Sequence, residues 1–186
     1  MCRTLLTHGL RPLVCGPTGT GKSVSVIKCV TEELDQSKYK PIQLGFSAKT
    51  SATMTQDIID GQLGKRRKGV FGPPMGQTAI VFVDDMNMPK VDTYGTQQPI
   101  TLLLTLMSRG FIYDRVKDLN QKLLKDLQQI GAMGPPGGGR NPVDPRFTAL
   151  FNVYNLPPPT DEVLSGIYDA ILEARYAHFS GPMKHL

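Results

Sequence analysis

Two short stretches carry residue types that could handle a polyphosphate. The first, Gly16-Pro17-Thr18-Gly19-Thr20-Gly21-Lys22-Ser23, satisfies G-x-x-x-x-G-K-[ST] at every required position. Its glycines permit a tight curl whose N–H groups converge on an anion. Lys22 is a point charge with the reach of β- and γ-phosphates, and the Ser23 hydroxyl can ligate Mg²⁺. The second stretch is Asp84-Asp85. Asp84 would hold Mg²⁺ through water in concert with Ser23. Asp85 stands where a carboxylate would orient or deprotonate an attacking water. It is one methylene shorter than Glu, and a displacement of about 1 Å can cost roughly a hundredfold in rate. The pair therefore speaks for nucleotide binding more strongly than for hydrolysis.

Both stretches need elements to position them. The apolar run Leu13-Val14-Cys15 precedes the glycine loop, and a helix-compatible run, Val24 to Leu34, follows it and extends to about Gln36. The positive end of that helix favours phosphate. Ala79-Ile80-Val81-Phe82-Val83 leads into Asp84 as a continuous apolar run, the pattern of a strand buried on both faces.

The rest of the chain alternates in the same way. A helix tail in residues 1–11 leads to a strand at Pro12–Cys15, and a second strand falls at Pro41–Ser47. Ser51 caps a helix to about Leu63, with Met54, Ile58 and Ile59 on its apolar side. The basic run Lys65-Arg66-Arg67-Lys68 and the residues to Pro74 read as a loop or hairpin projecting from the body. Pro99–Met107 reads as a helix and Phe111–Tyr113 as a short strand, while Leu119–Gln129 fits either a helix or a hairpin. Ile130–Met133 ends a core strand, and Gly134-Pro135-Pro136-Gly137-Gly138-Gly139 can be neither helix nor strand. Asn141 or Asp144 starts a short helix carrying Arg146 to Phe151, and Val153–Asn155 is a last strand. Pro157-Pro158-Pro159 is a linker, after which Thr160 to Glu162 caps a helix from Val163 to about His178. Alternating strands and helices predict an α/β fold with a mainly parallel sheet and its ligand at the carboxyl ends of the strands.

Composition excludes several classes. The chain has 186 residues, 40% hydrophobic and 20% charged, enough for one packed domain. No apolar run is long enough to span a membrane. Met1 to Gly9 lacks a signal peptide's apolar core, which predicts a soluble intracellular protein. Cys2, Cys15 and Cys29 are too far apart for a metal or redox pair, and His8, His178 and His185 show no metal-ligand spacing. The net charge of +5 is mild and its basic run lacks interleaved aromatics, so no nucleic-acid partner is expected.

Four segments occur in a telling order: Gly16 to Ser23, Lys65 to Gly76, Val83 to Pro89 and Ala132 to Pro142. Together they resemble the third AAA+ module of axonemal dynein heavy chains, over nearly the whole chain. The resemblance implies an AAA+ large α/β subdomain of five strands in the order 5-1-4-3-2 at residues 1–156. It implies a linker and the start of a truncated helical lid at residues 157–186. Gly16 to Ser23 would be the Walker A motif and Asp84-Asp85 the Walker B motif, with ATP or ADP and Mg²⁺ as cofactors. The loop after Met133 would hold the sensor-1 position, where the family carries a polar residue and this chain has Gly134. Asn141 could stand in for it only if the glycine loop folds back. Arg146 would be an arginine finger directed at the preceding module, and a sensor-2 arginine would lie beyond Leu186.

The implied function is a module that binds nucleotide, turns it over slowly and tunes a microtubule motor in the cytoskeleton of cilia. Its partners would be neighbouring modules of the same heavy chain. Intermediate and light chains and microtubules would be reached through other parts. Two alternatives stay open: a regulatory module without significant turnover, and an independent small P-loop NTPase.

Overall fold

The computed structural model describes residues 1–115 and 119–176. The chain divides into two compact units, residues 1–156 and 157–186. In the first, strands β1 (Pro12–Cys15), β2 (Tyr39–Gly45), β5 (Thr78–Asp84), β8 (Leu127–Met133) and β9 (Asn152–Asn155) form one sheet. All of its pairings are parallel. The spatial order is β2-β5-β8-β1-β9. Numbered along the chain, that is the expected 5-1-4-3-2.

The sheet is covered on both faces, which explains why its central strands read as unbroken apolar runs. Successive residues of β5 point to opposite sides. Ile80 and Phe82 join Leu6, Val14, Val26, Val30, Leu34, Ile130 and Ala132, under α1 (Cys2–Thr7) and α2 (Lys22–Lys28). Ala79, Val81 and Val83 join Leu13, Ile59, Ile100, Leu103 and Phe147, under α3 (Ala52–Gln62), α4 (Gln98–Arg109) and α5 (Pro145–Thr148). The helical run after the glycine loop does not stay regular. Cys29–Glu33 winds as a π-helical segment, and Leu34 is already extended, short of the expected end near Gln36.

Ser51 does cap α3, accepting a hydrogen bond from the Met54 N–H at 3.2 Å. The apolar side expected for that helix is corrected by the structure. Met54 and Ile58 are exposed, and Thr55, Gln56 and Ile59 face inward. Gln56 is tolerated there because its Nε2 donates to the Tyr113 carbonyl at 2.7 Å.

Of the loop or hairpin expected at the basic run, the structure takes the hairpin. Residues 64–72 form a hairpin, β3 (Gly64–Arg67) and β4 (Val70–Gly72), inside a second sheet of order β3-β4-β7-β6. Its other strands are β6 (Phe111–Tyr113) and β7 (Gln121–Leu124). Leu119–Gln129 is thus neither the helix nor the hairpin expected: it holds β7 and the start of β8, which lie in different sheets. Arg66, within the basic run, is mostly buried: it ion-pairs with Asp126 and donates from Nε to the Pro73 carbonyl at 2.9 Å. Lys122 lies 5.4 Å over the Phe71 ring and pairs with Asp60 and Asp114.

In the second unit, α6 (Asp161–Tyr176) follows Thr160, whose hydroxyl accepts from the Val163 N–H at 3.4 Å. The expected end near His178 lies outside the described residues. No helix of the described residues is long and apolar enough to cross a membrane.

Candidate functional site

Because the main sheet is wholly parallel, the carboxyl ends of β1, β5 and β8 lie along one edge. The glycine loop leaves β1 there, Asp84 ends β5, and Gly134 follows β8. Two glycines of the loop, Gly19 (φ +86°) and Gly21 (φ +74°), take left-handed backbone conformations that side-chain-bearing residues rarely adopt. Gly16 is fixed by space instead: a Cβ there would stand 2.5 Å from the Leu156 carbonyl oxygen. Gly21 hands the chain directly into α2 at Lys22.

The Lys22 ammonium folds over the loop. It donates to the Pro17 carbonyl at 2.5 Å and to the Thr20 hydroxyl at 3.3 Å. Thr20 in turn donates to the same carbonyl at 2.9 Å. In the first turn of the helix, the Ser23 hydroxyl donates to Asp84 Oδ1 at 2.8 Å, across 61 residues of sequence. Asp84 Oδ1 also accepts from the Asp85 backbone N–H at 3.0 Å.

Those two oxygens suit a magnesium ion. Mg²⁺ takes hard oxygen ligands at about 2.1 Å in an octahedron, so adjacent ligands stand about 3 Å apart. Ser23 Oγ would be one such ligand, and Asp84 Oδ1, 2.8 Å from it, stands where it could hold a water of the ion's shell. Among the described residues no group of three or more His, Cys, Asp or Glu side chains could hold a metal alone.

Asp85 sits at φ +48°, in the left-handed region sparsely used by residues other than glycine. Its side chain is half exposed, and its partner is Arg140, with Nη2 at 3.8 Å from Oδ1. The same Nη2 donates to the Thr18 hydroxyl of the glycine loop at 3.3 Å. Arg140 thus spans both functional stretches. Sequence reasoning quoted this residue within a motif without assigning it a role. The available signal was the bare Gly134 at a position where a polar side chain is expected, with a cation six residues on.

The glycine loop after β8 does fold back, through paired backbone hydrogen bonds between Gly137 and Arg140 at 3.0 and 3.1 Å. Asn141 is drawn to the β5 side of that turn: its Nδ2 donates to the Pro89 carbonyl at 2.9 Å. Asn87 was not singled out from sequence. It is buried, donates to the Gly134 carbonyl at 2.8 Å and accepts from the Asn141 N–H at 2.9 Å. It therefore pins the loop's entry to its exit.

Arg146 lies apart from this cluster. Its contacts are with Asp144, at 3.2 Å from Nη2 to Oδ2, and its side chain is 83% exposed. It lines a cleft of about 510 Å³ with Tyr94, Gln97, Ile100 and Pro145 that includes no residue of the glycine loop. Cys15, just before the loop, has its thiol pKa pushed up by burial, with the nearby Lys22 opposing.

The match to known proteins is extensive. A family model, the P-loop containing dynein motor region, matches residues 1–159. The chain is similar to the dynein-1-alpha heavy chain of the flagellar inner arm I1 complex of Chlamydomonas reinhardtii, at 46% identity over 95% of this chain. It is 48% identical to dynein axonemal heavy chain 12 of Rattus norvegicus over 90% of the chain. Against human dynein axonemal heavy chain 10 the identity is 45% over 88%. The chain spans only 4 to 5% of the length of these curated relatives.

Proposed function

The chain belongs to the P-loop containing dynein motor region family, and from that premise we propose that it is an ATP- or ADP-binding AAA+ module of an axonemal dynein heavy chain. In this reading residues 1–156 are the nucleotide-binding subdomain and residues 157–186 the linker and first part of a lid. The observation that carries the site is the 2.8 Å contact between Ser23 and Asp84, beneath a glycine loop whose lysine is folded over its centre.

The division of labour follows from the residues. The amides of Gly16 to Ser23 cradle the phosphates, with Pro17, Thr18 and Thr20 shaping the curl, and Lys22 exchanges the Pro17 carbonyl for phosphate oxygen. Ser23 and Asp84 hold Mg²⁺, which when bound neutralises phosphate charge. Asp85 is the candidate for orienting the attacking water.

Slow turnover is expected on three grounds. Asp85 is short, it is paired with Arg140, and the Asn141 amide nitrogen is tied to the Pro89 carbonyl. These same grounds favour the second reading, a regulatory module that holds nucleotide without significant turnover. Arg146, exposed and paired only locally, is free to serve a neighbouring module of the same heavy chain. The names of the relatives support a place in the axoneme of cilia or flagella, within a ring of such modules. Microtubules and the other dynein chains would be engaged through other parts of that heavy chain.

Titration with fluorescent ADP and a non-hydrolysable ATP analogue, each with Mg²⁺, tests the site. Lys22→Ala should weaken binding at least about tenfold, the scale of a lost charge-assisted contact; unchanged affinity sinks the assignment. Asp85→Glu separates the two readings. A strong rise in turnover means that carboxylate reach held hydrolysis back. Unmodified protein that already turns over rapidly contradicts the regulatory reading.

A further inference from the structure

Arg140 has a placement that nucleotide binding as described above does not use. Three consecutive glycines, Gly137 (φ +113°), Gly138 (φ +59°) and Gly139 (φ +86°), take backbone conformations unfavourable to other residues. They turn the chain so that Arg140 comes back over the end of β8. Its side chain then passes across Gly134, where a Cβ would stand 2.6 Å from Arg140 Nε and 2.8 Å from its Cδ. The missing side chain at residue 134 is therefore space that the arginine fills. The guanidinium emerges between Thr18 of the glycine loop and Asp85 at the end of β5.

Its bonding there is incomplete. A guanidinium has five donors. Here Nη2 alone makes both contacts, at 3.3 Å to Thr18 and 3.8 Å to Asp85, and the second is too long for a hydrogen bond. Among the described residues, Nε is buried without an acceptor. A planar fork of donors at the mouth of a phosphate cradle, held by one hydrogen bond and one loose ion pair, is matched to an oxyanion with several oxygens.

Resting on the nucleotide-site reading, we propose that Arg140 distinguishes a nucleoside triphosphate from a diphosphate. With a triphosphate bound, its guanidinium leaves the Asp85 carboxylate for oxygens of the terminal phosphate. With a diphosphate bound, it keeps Asp85 paired. One residue thus both senses the third phosphate and releases the carboxylate needed to orient water, the task for which Gly134 has no side chain.

The test measures affinity of the full chain for a fluorescent non-hydrolysable ATP analogue and for fluorescent ADP, both with Mg²⁺. Arg140→Ala should weaken the ATP analogue by about tenfold or more and change ADP by less than about twofold. Arg140→Lys, which keeps the charge and loses the fork, should fall between. Gly134→Ala supplies an independent variant: the three atoms nearest its methyl group all belong to the flexible Arg140 side chain, so it displaces the guanidinium and should reproduce the selective loss. Equal loss for both nucleotides, or no change for either, overturns the proposal. If unmodified protein binds neither nucleotide, or Lys22→Ala leaves ADP binding untouched, the site reading itself has failed. ADP binding that depends on Lys22, with selectivity indifferent to both Arg140→Ala and Gly134→Ala, overturns only the role of Arg140.

Discussion

At the scale of single residues, the account turns on groups whose partners lie far away in sequence. Ser23 meets Asp84, and Arg140 meets Thr18 and Asp85. The lysine and serine of the loop were legible from local spacing, because the phosphate curl demands those types at those positions. The role of Arg140 was not, since it depends on how a glycine turn aims a side chain over a bare backbone position. Titration at this scale also bears on stability. Burial raises the Cys29 thiol pKa to about 11, with Cys2 and Glu33 adding to the rise. The folded state thus keeps the proton that the unfolded chain gives up near 9. This group's contribution is whole below about pH 9 and is lost as pH climbs through 11. Unfolding free energy measured by urea titration should therefore decline across that window, and Cys29→Ala should make the decline shallower. An identical slope in the variant would contradict the burial of this thiol.

At the scale of elements, the sequence marked most strands and helix starts. The run at β5 is apolar because both its faces are covered, and Ser51 stands as cap because its hydroxyl satisfies the Met54 N–H. What stayed hidden was decided by tertiary partners. The second sheet joins β4 to β7, strands separated by about fifty residues, and no local pattern announces that pairing. The inward face of α3 was misread because Thr55 and Gln56 find room and partners inside while Ile58 faces out. That difference is measurable in adjacent residues. Ile59→Ala should destabilise the fold by about 2–5 kcal/mol, the cost of a cavity at a fully buried site. Ile58→Ala should cost less than about 1 kcal/mol in the same denaturant experiment. Equal losses would mean that the helix is rotated. Replacing the cap by Ser51→Ala should cost about 1 kcal/mol, read as a lower unfolding midpoint; no shift would mean that the hydroxyl leaves the helix start unsupported.

At the scale of the whole molecule, parallel strands bring the site together. With β8 between β1 and β5, the glycine loop, the acidic strand end and the arginine-bearing turn all open on one edge of the sheet. The family match covers residues 1–159, all of these parts. The central claim is that the glycine loop and the end of β5 form one site for nucleotide and magnesium together. The most direct test is the gain in nucleotide affinity when Mg²⁺ replaces EDTA, measured for unmodified protein and for Asp84→Asn. Unmodified protein should gain about tenfold or more, and the variant should gain less than about twofold. A gain of the same size in both would show that Asp84 holds no magnesium and would contradict the account.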